Sequence, residues 1–493
     1  MTYYQKLTAH FAKLDRFNHL AAVCGWDQAT MMPAGGNQAR GEAMAELALH
    51  IHQLSTAPQL GDWLSEAQEE KLSGMETANL REMTRSWQQA TVIPDDLVQA
   101  KSLAGSRCEH AWRTQRINND WQGFSANFAE VVSLSQQEAQ IRAQSNNGSA
   151  YDAMLDLYEP GVDSAQLDHL FGEMKTWLAP LTQQIIEKQQ TEQFTQPCGL
   201  FAVAQQQALG QQVMGLLGFD FNQGRLDISS HPFCGGTPSD VRITTRYDES
   251  DFVQSLMGII HETGHARYEQ GLPKSLAGQP AGFARSMGIH ESQSLFFEMQ
   301  LGRSTEFISA LTPNIQGFFP NVDKAMLSEQ NLLKLYTRVQ PGFIRVDADE
   351  VTYPAHAMLR YEIERDLINQ TISYRDIPDL WQHKMHDYLG VDTADNFKDG
   401  CMQDIHWTDG SFGYFPSYTL GAMYAAQFKA TMQNVVDVQG CIETGDLAPI
   451  FTWLHHNIWQ KGSTLTTTEL VQQATGEPLN VAHFKQHLQN RYL

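Results

Sequence analysis

Apolar positions recur with a helical period over most of this chain. Near the start they fall at Leu7, Phe11, Leu14, Phe17 and Leu20–Ala21, three or four apart, which predicts one buried helix face across residues 2 to 23. The stretch Gly25-Trp26-Asp27-Gln28-Ala29-Thr30-Met31-Met32-Pro33 interrupts the period, and Gly35-Gly36 completes a predicted loop. A second helix is expected from about Gln38 through Arg40, Met44, Leu47 and Ile51. Residues 60 to 220 continue as helical stretches rich in Gln, Ala, Leu and Glu, with breaks at Pro94, at residues 146–148, at Glu159-Pro160-Gly161 and at Gln196-Pro197-Cys198-Gly199. No repeat of fixed period and no low-complexity tract is present.

One region has the period of a strand. Arg225–Ser229 and Asp240–Tyr247 alternate and are rich in branched residues, with His231-Pro232-Phe233-Cys234-Gly235-Gly236-Thr237 between them. A small sheet there would offer an edge along which an extended peptide can lie. Helical spacing then resumes to the C-terminus. The expected fold is therefore mainly α with a small β-sheet. It forms one large unit, 1–493, with a mainly helical portion 1–225 and a portion 226–493 that carries the chemistry, in two lobes around a cleft.

The chemistry centres on the helix predicted for residues 251 to 270. Ser250 and Asp251 are good N-caps, Gly271 is a natural stop, and Val253, Met257, Ile260 and Gly264 repeat at helical spacing. Within it lies His261-Glu262-Thr263-Gly264-His265, an H-E-x-x-H string. Histidines at i and i+4 project from one face, a separation that suits two ligands of one tetrahedral zinc ion. Glu262 is rotated roughly 100° from His261, so it can stand beside the metal as a general base without ligating it. The plainer alternative is a buried helix with two satisfied histidines. A third ligand at position 271 is excluded, because that residue is Gly271. A glutamate on the next predicted helix is the other solution, and Glu291 and Glu298 share a face there, so spacing leaves both open.

Two further stretches carry candidate site residues. Gly400–Trp407, followed by Gly413–Tyr418, concentrates hydrogen-bond donors in His406, Tyr414 and Tyr418 on a loop that enters a helix. The same composition suits an ordinary capping loop. Arg345 lies close to Asp347 and Asp349, where it is either an ion-paired structural arginine or a fork for a substrate carboxylate. His356, His383, His386, His455 and His456 have no comparable partner pattern and read as structural or surface residues.

Composition narrows the classes. Lys+Arg 34 against Asp+Glu 56 gives a net charge of −22, which argues against nucleic acid and anionic membranes as partners. The N-terminus has no basic region followed by an apolar run, and no apolar stretch approaches the length of a membrane span. Cysteines 24, 108, 198, 234, 401 and 441 are scattered without a C-x-x-C, as expected of reduced thiols in a cytoplasmic protein.

Taken together, the ordered strings resemble the M32 family of metallocarboxypeptidases, the thermostable carboxypeptidase Taq type. The resemblance runs nearly the whole chain: Trp26-Asp27, Thr30 and Pro33; His231-Pro232-Phe233; Asp240, Arg242 and Thr244; the H-E-x-x-H helix; His290-Glu291-Ser292-Gln293; Ile344-Arg345 with Ala348-Asp349; and Gly400, Gln403-Asp404 and His406-Trp407. It implies a mostly helical cleft fold like that of neurolysin and angiotensin-converting enzyme, usually as a homodimer. It implies removal of C-terminal residues from peptides, broad in side chain but poor beside proline. The third ligand would then be Glu291, completing a site for Zn2+, with Co2+ or Mn2+ as substitutes. His406 and Tyr414 would hold the tetrahedral intermediate and Arg345 would read the free carboxylate, with His231 and Arg242 as further substrate-binding candidates. Two rivals remain at this stage: an oligoendopeptidase of the related cleft type, and a non-catalytic binding protein that retains a zinc site, against which the intact Glu262 argues.

Overall fold

A computed structural model describes residues 1–146 and 148–493, so the predicted break at 146–148 falls partly outside the described residues. Helices dominate, as the periodicity predicts. The N-terminal portion comprises α1 (Tyr3–Thr30), α2 (Asn37–Ser55), α3 (Gln59–Gln68), α4 (Gly74–Thr91), α5 (Asp95–Ile117), α6 (Trp121–Asn146), α7 (Ala150–Leu155), α8 (Ser164–Gln189) and α9 (Val203–Leu216). Three strands follow, β1 (Gly224–Ile228), β2 (Phe233–Thr237) and β3 (Asp240–Thr245), then α10 (Val253–Gly271) and α11 (Met287–Leu295). Next come α12 (Thr305–Phe318), α13 (Glu329–Tyr336), α14 (Tyr353–Ile368), α15 (Ile377–Leu389) and α16 (Pro416–Met432). The chain ends in α17 (Val438–Thr444), α18 (Ala448–Asn457), α19 (Thr467–Thr475) and α20 (Val481–Tyr492).

The first predicted loop is shorter than expected. Helix α1 runs through Gly25 and Trp26 to Thr30 instead of ending near residue 23. Tertiary contacts hold this extra turn. Trp26 is buried beneath the guanidinium of Arg242 at 4.3 Å, and Arg40 of α2 reaches back to the Cys24 carbonyl and to Asp27. Helices α1 to α4 close over a small apolar core of their own, built on Leu7, Phe11, Leu60, Leu64 and Met83.

The sheet has the order β1-β3-β2, with β1 parallel and β2 antiparallel to β3. The alternation predicts β1 and β3. It leaves β2 unmarked, because Phe-Cys-Gly-Gly-Thr offers little to pack. Gly236 has φ +87°, and a Cβ there would sit 2.1 Å from the Asp240 carbonyl oxygen, so the tight return into β3 requires glycine. Val241 and Ile243 of β3 pack with Ile259 and Ala266 of α10, which fixes the sheet beside that helix.

Helix α11 is gripped from both sides by glycines. A Cβ at Gly264 of α10 would lie 2.4 Å from the Gln293 carbonyl oxygen, and a Cβ at Gly421 of α16 would lie 2.8 Å from the Glu291 Cβ. Backbone therefore approaches backbone at both contacts, and the position of Glu291 is set by two helices at once. Beyond Leu295 the helix widens into a π-helical segment, Phe296–Gly302, which carries Glu298. Such segments recur at functional sites because they redirect side chains.

Candidate metal centre and peptide cleft

A cleft of about 1440 Å³ crosses the molecule. Its walls come from α1 (Asp15, Asn18, His19), from β2 and its approach (Pro232, Phe233), from α10 and α11, and from Arg345, Tyr353, Tyr414 and Tyr418. The lining includes the two histidines of the H-E-x-x-H string, together with Glu291. Ligand atoms of His261, His265 and Glu291 lie within 4.8 Å of one another. The Glu291 Oε2 atom is 3.4 Å from His265 Nε2 and 4.0 Å from His261 Nε2. Two bonds of about 2.0–2.1 Å at a tetrahedral angle span roughly 3.4 Å, so these spacings need little adjustment to close on one ion.

Both imidazoles are oriented from behind. His261 Nδ1 is 2.9 Å from Glu298 Oε2, and the other Glu298 oxygen accepts from Arg303 at 2.6 Å. Donation from Nδ1 leaves the Nε2 lone pair facing Glu291. For His265 the partner is His290, with the two Nδ1 atoms 2.6 Å apart, and His290 Nε2 lies 2.8 Å from Glu269 Oε1. One proton arrangement satisfies the whole line: His265 donates to His290 and His290 donates to Glu269, again freeing Nε2 of His265. Glu298 thus stands behind His261, while Glu291 is the glutamate whose oxygen lies near both Nε2 atoms.

Electrostatics test whether a cation fits. Burial opposes charging of His261, yet its hydrogen bond to Glu298 and the field of Glu291 lift it to about 10. Burial drives His265 down to about 4, against the pull of Glu291. Burial also raises Glu262 to about 7, opposed by His261 and reinforced by Glu291. Glu262, Glu291 and Glu298 pack around the two imidazoles in a buried site, with Arg303 paired to Glu298 behind His261. A divalent cation between the Nε2 atoms and Glu291 is what this donor set suits. Glu262 lines the cleft next to His261 and is not among the His261, His265 and Glu291 group.

The Arg345 and Gly400–Trp407 stretches form one unit. The Arg345 N–H donates to Gln403 Oε1 at 2.8 Å, and its Nε donates to Asp404 Oδ1 at 3.0 Å. Asp404 also receives Arg360, while Arg345 Nη1 donates to the Tyr353 hydroxyl at 3.2 Å. The neighbouring Asp347 and Asp349 are not its partners; Asp349 caps the turn into α14 by accepting from Val351 and Thr352. Arg345 is buried, lies 4.5 Å above the Tyr418 ring and still lines the cleft. Asp404 orients it and leaves Nη2 without a hydrogen-bond partner among the described residues.

The remaining candidates separate. Tyr414 and Tyr418 line the cleft. His406 stands behind them, with Nε2 3.1 Å from the Tyr418 hydroxyl, and burial together with Arg345 lowers it to about 4, so it is neutral. His231 is exposed, and its carbonyl accepts from Ser229 Oγ, while its neighbours Pro232 and Phe233 line the cleft. Arg242 forks onto Asp240 at 2.6 and 2.7 Å with its guanidinium over Trp26, outside the cleft lining. Sequence reasoning missed the His290–Glu269 line, Asp404, Arg360 and Tyr353. The one signal was that Arg345 and Asp404 each sat in a motif, with nothing to say that the motifs meet.

Comparison with known proteins agrees along the whole chain. The family model of the carboxypeptidase Taq (M32) metallopeptidases matches residues 6–492. Thermostable carboxypeptidase 1 of Thermus thermophilus is 36% identical over 506 residues, covering 99% of this chain and 97% of the relative. Carboxypeptidase 1 of Bacillus subtilis is 34% identical, covering 100% and 98%. Among solved structures, Trypanosoma cruzi metallocarboxypeptidase 1 superposes with a TM-score of 0.97 at 45% identity, covering 99% of each chain. The M32 carboxypeptidase of Deinococcus radiodurans gives 0.93 at 31% identity, covering 99% and 98%. With His261, His265 and Glu291 brought together in the lining of its cleft, this chain belongs to the carboxypeptidase Taq (M32) metallopeptidase family and is a metallocarboxypeptidase.

Proposed function

We propose that the protein is a zinc-dependent carboxypeptidase that removes C-terminal residues from peptides with broad side-chain preference. The observation that carries this reading is the convergence of two oriented Nε2 atoms and Glu291 beside Glu262, in a cleft whose wall presents a partly free guanidinium. Two histidines and one glutamate leave a coordination position open, the arrangement of catalytic zinc. Bound there, zinc would acidify a water to about pKa 7 and polarise the scissile carbonyl; Co2+ or Mn2+ would serve as substitutes.

The chain supplies the rest. Arg345 Nη2 receives the terminal carboxylate of the substrate, with Asp404 and Tyr353 holding the guanidinium in place. That anchor sets the last peptide bond over the triad. Glu262 takes the proton of the attacking water and passes it to the departing amine nitrogen; its burial, which raises it to about 7, suits both transfers near neutral pH. The Tyr414 and Tyr418 hydroxyls donate to the oxygen of the scissile carbonyl as it gains charge, and neutral His406 fixes the Tyr418 rotamer from behind. His231 stands just before β2, the edge strand along which an extended substrate would lie, and Arg242 sits behind that edge on the central strand β3.

We further propose that 1–493 works as one peptidase domain, as a homodimer in the cytoplasm. Among the described residues no helix is long and apolar enough to cross a membrane. Hydrolysis of one peptide with free and with amidated C-terminus, each with and without chelator, tests the central reading. Chelator-sensitive loss of the last residue from the free peptide alone is expected. Internal cleavage of the amidated peptide at a similar rate would favour an oligoendopeptidase.

A further inference from the structure

A second cavity, about 1210 Å³, opens at the C-terminal end of α10, between that helix, α18 with its following turn, and the start of α4. Its titratable wall residues are Arg267, Lys274, Lys461, His455 and His456, and no carboxylate lines it. In a chain with 56 acidic and 34 basic side chains, a cavity of this size lined on one sign is unexpected unless it serves an anion.

The cations are also without partners. None of Arg267, Lys274 and Lys461 joins an ion pair among the described residues. The Arg267 guanidinium lies over Trp459 at 5.1 Å and Phe451 at 5.5 Å, and its Nε is buried with no acceptor. Asp220 is the carboxylate whose field reaches Arg267 and Lys274, but its oxygens are held by the N–H groups of Asn222 and Gln223. A partly buried guanidinium with an unmet donor is costly, and the aromatic stacking offsets only part of that cost.

Close approaches bring the three cations around one space. A Cβ at Gly271 would lie 2.6 Å from Trp459 Cε3, and one at Gly462 would lie 3.2 Å from Pro273 Cγ. Gly462 itself has φ +49°, a left-handed conformation. The turn bearing Lys461 is thereby clamped to the turn bearing Lys274, with Arg267 one helical turn earlier on α10.

We propose that this cavity is a second binding site, for a small multivalent anion carrying phosphate or carboxylate groups, held by Arg267, Lys274 and Lys461. It is separate from the peptide cleft and shares no lining residue with it. Calorimetric titration of the metal-loaded full chain with inorganic phosphate, and separately with glutarate, at low ionic strength tests this. At least one probe is expected to bind, and the double variant Lys274→Gln/Lys461→Gln should bind it at least about tenfold more weakly while still hydrolysing peptide. Both lysines reach solvent, so the fold should survive, and Arg267→Met supplies the harsher second variant. Which probe binds distinguishes a phosphate ligand from a carboxylate one. Binding of neither probe, or binding that the lysine variant leaves unchanged and that therefore resides outside this cavity, would overturn the proposal.

Discussion

At the scale of single residues, the decisive feature is a division of labour among glutamates that differ only in surroundings. Glu291 faces two Nε2 atoms, Glu262 faces the cleft, and Glu298 lies behind His261 in contact with Arg303. Glu262→Gln should therefore retain metal yet lose kcat by several orders of magnitude, because no group remains to accept the proton; near-normal turnover in metal-analysed protein would refute that role. Glu298→Ala should keep the ligand set but release His261 from its orientation. Metal affinity is expected to fall about 10- to 100-fold, against a far larger loss in Glu291→Ala, as read by competition with a chromophoric chelator. Tyr414→Phe removes one donor and little volume, so a drop of about a hundredfold in kcat with small change in KM is expected; an effect on KM alone would make it a positioning residue.

At the scale of elements, the site depends on how closely α10, α11 and α16 approach. Gly264, in the H-E-x-x-H string, is the most crowded glycine of α10, where a methyl group would meet the backbone of Gln293 and Ser294 at 2.4–2.6 Å. Gly258, on the same helix, has no atom within 4 Å of its would-be Cβ. Gly264→Ala must push α11 away, at about 1–3 kcal/mol of overpacking, and should lower both the melting temperature and metal affinity. Gly258→Ala should do neither. Thermal melts of the two variants with and without metal make the comparison. Gly271 carries the same lesson. It ends α10 as predicted, but glycine is required there because the Trp459 ring occupies the space of a side chain, not because the backbone is left-handed.

At the scale of the whole molecule, the last helix is tied to the segment behind the site through a buried charge cluster. Glu350 accepts from Arg491 at 2.8 Å and from the Tyr492 hydroxyl at 3.0 Å, and lies 2.6 Å from His487. Burial works against the carboxylate, yet Arg491 and His487 hold its pKa well below the usual range. A folded pKa depressed in this way contributes stability that is present above the unfolded value of about 4.3 and is lost as pH falls below it. Removing one partner of a buried pair costs about 3–5 kcal/mol. Glu350→Gln should consequently melt well below the parent at pH 7, and the gap should close as pH falls below 4. A gap that stays constant with pH would show that the contact is not ionic in the fold.

The sequence by itself determined what depends on neighbours along the chain. Helical period placed the helices, i, i+4 spacing placed His261 and His265 on one face with Glu262 turned aside, and alternation found β1 and β3. It fell short wherever partners are far apart in the chain. The turn of α1 around Trp26 is held by Arg40 and Arg242, and β2 forms because β3 offers it an edge. The choice between Glu291 and Glu298 was open to spacing because the two share a helical face. Only the packing of α11 between Gly264 and Gly421, with the π-helical widening that follows, turns one toward the Nε2 atoms and the other behind His261. Arg345 was read against Asp347 and Asp349, its sequence neighbours, but its anchor is Asp404, which the fold brings from another loop. Local patterns record the backbone geometry that any helix or strand imposes. Which charges meet in a dry interior is decided by the packing of distant elements, where the cost of an unpaired buried ion selects the partners.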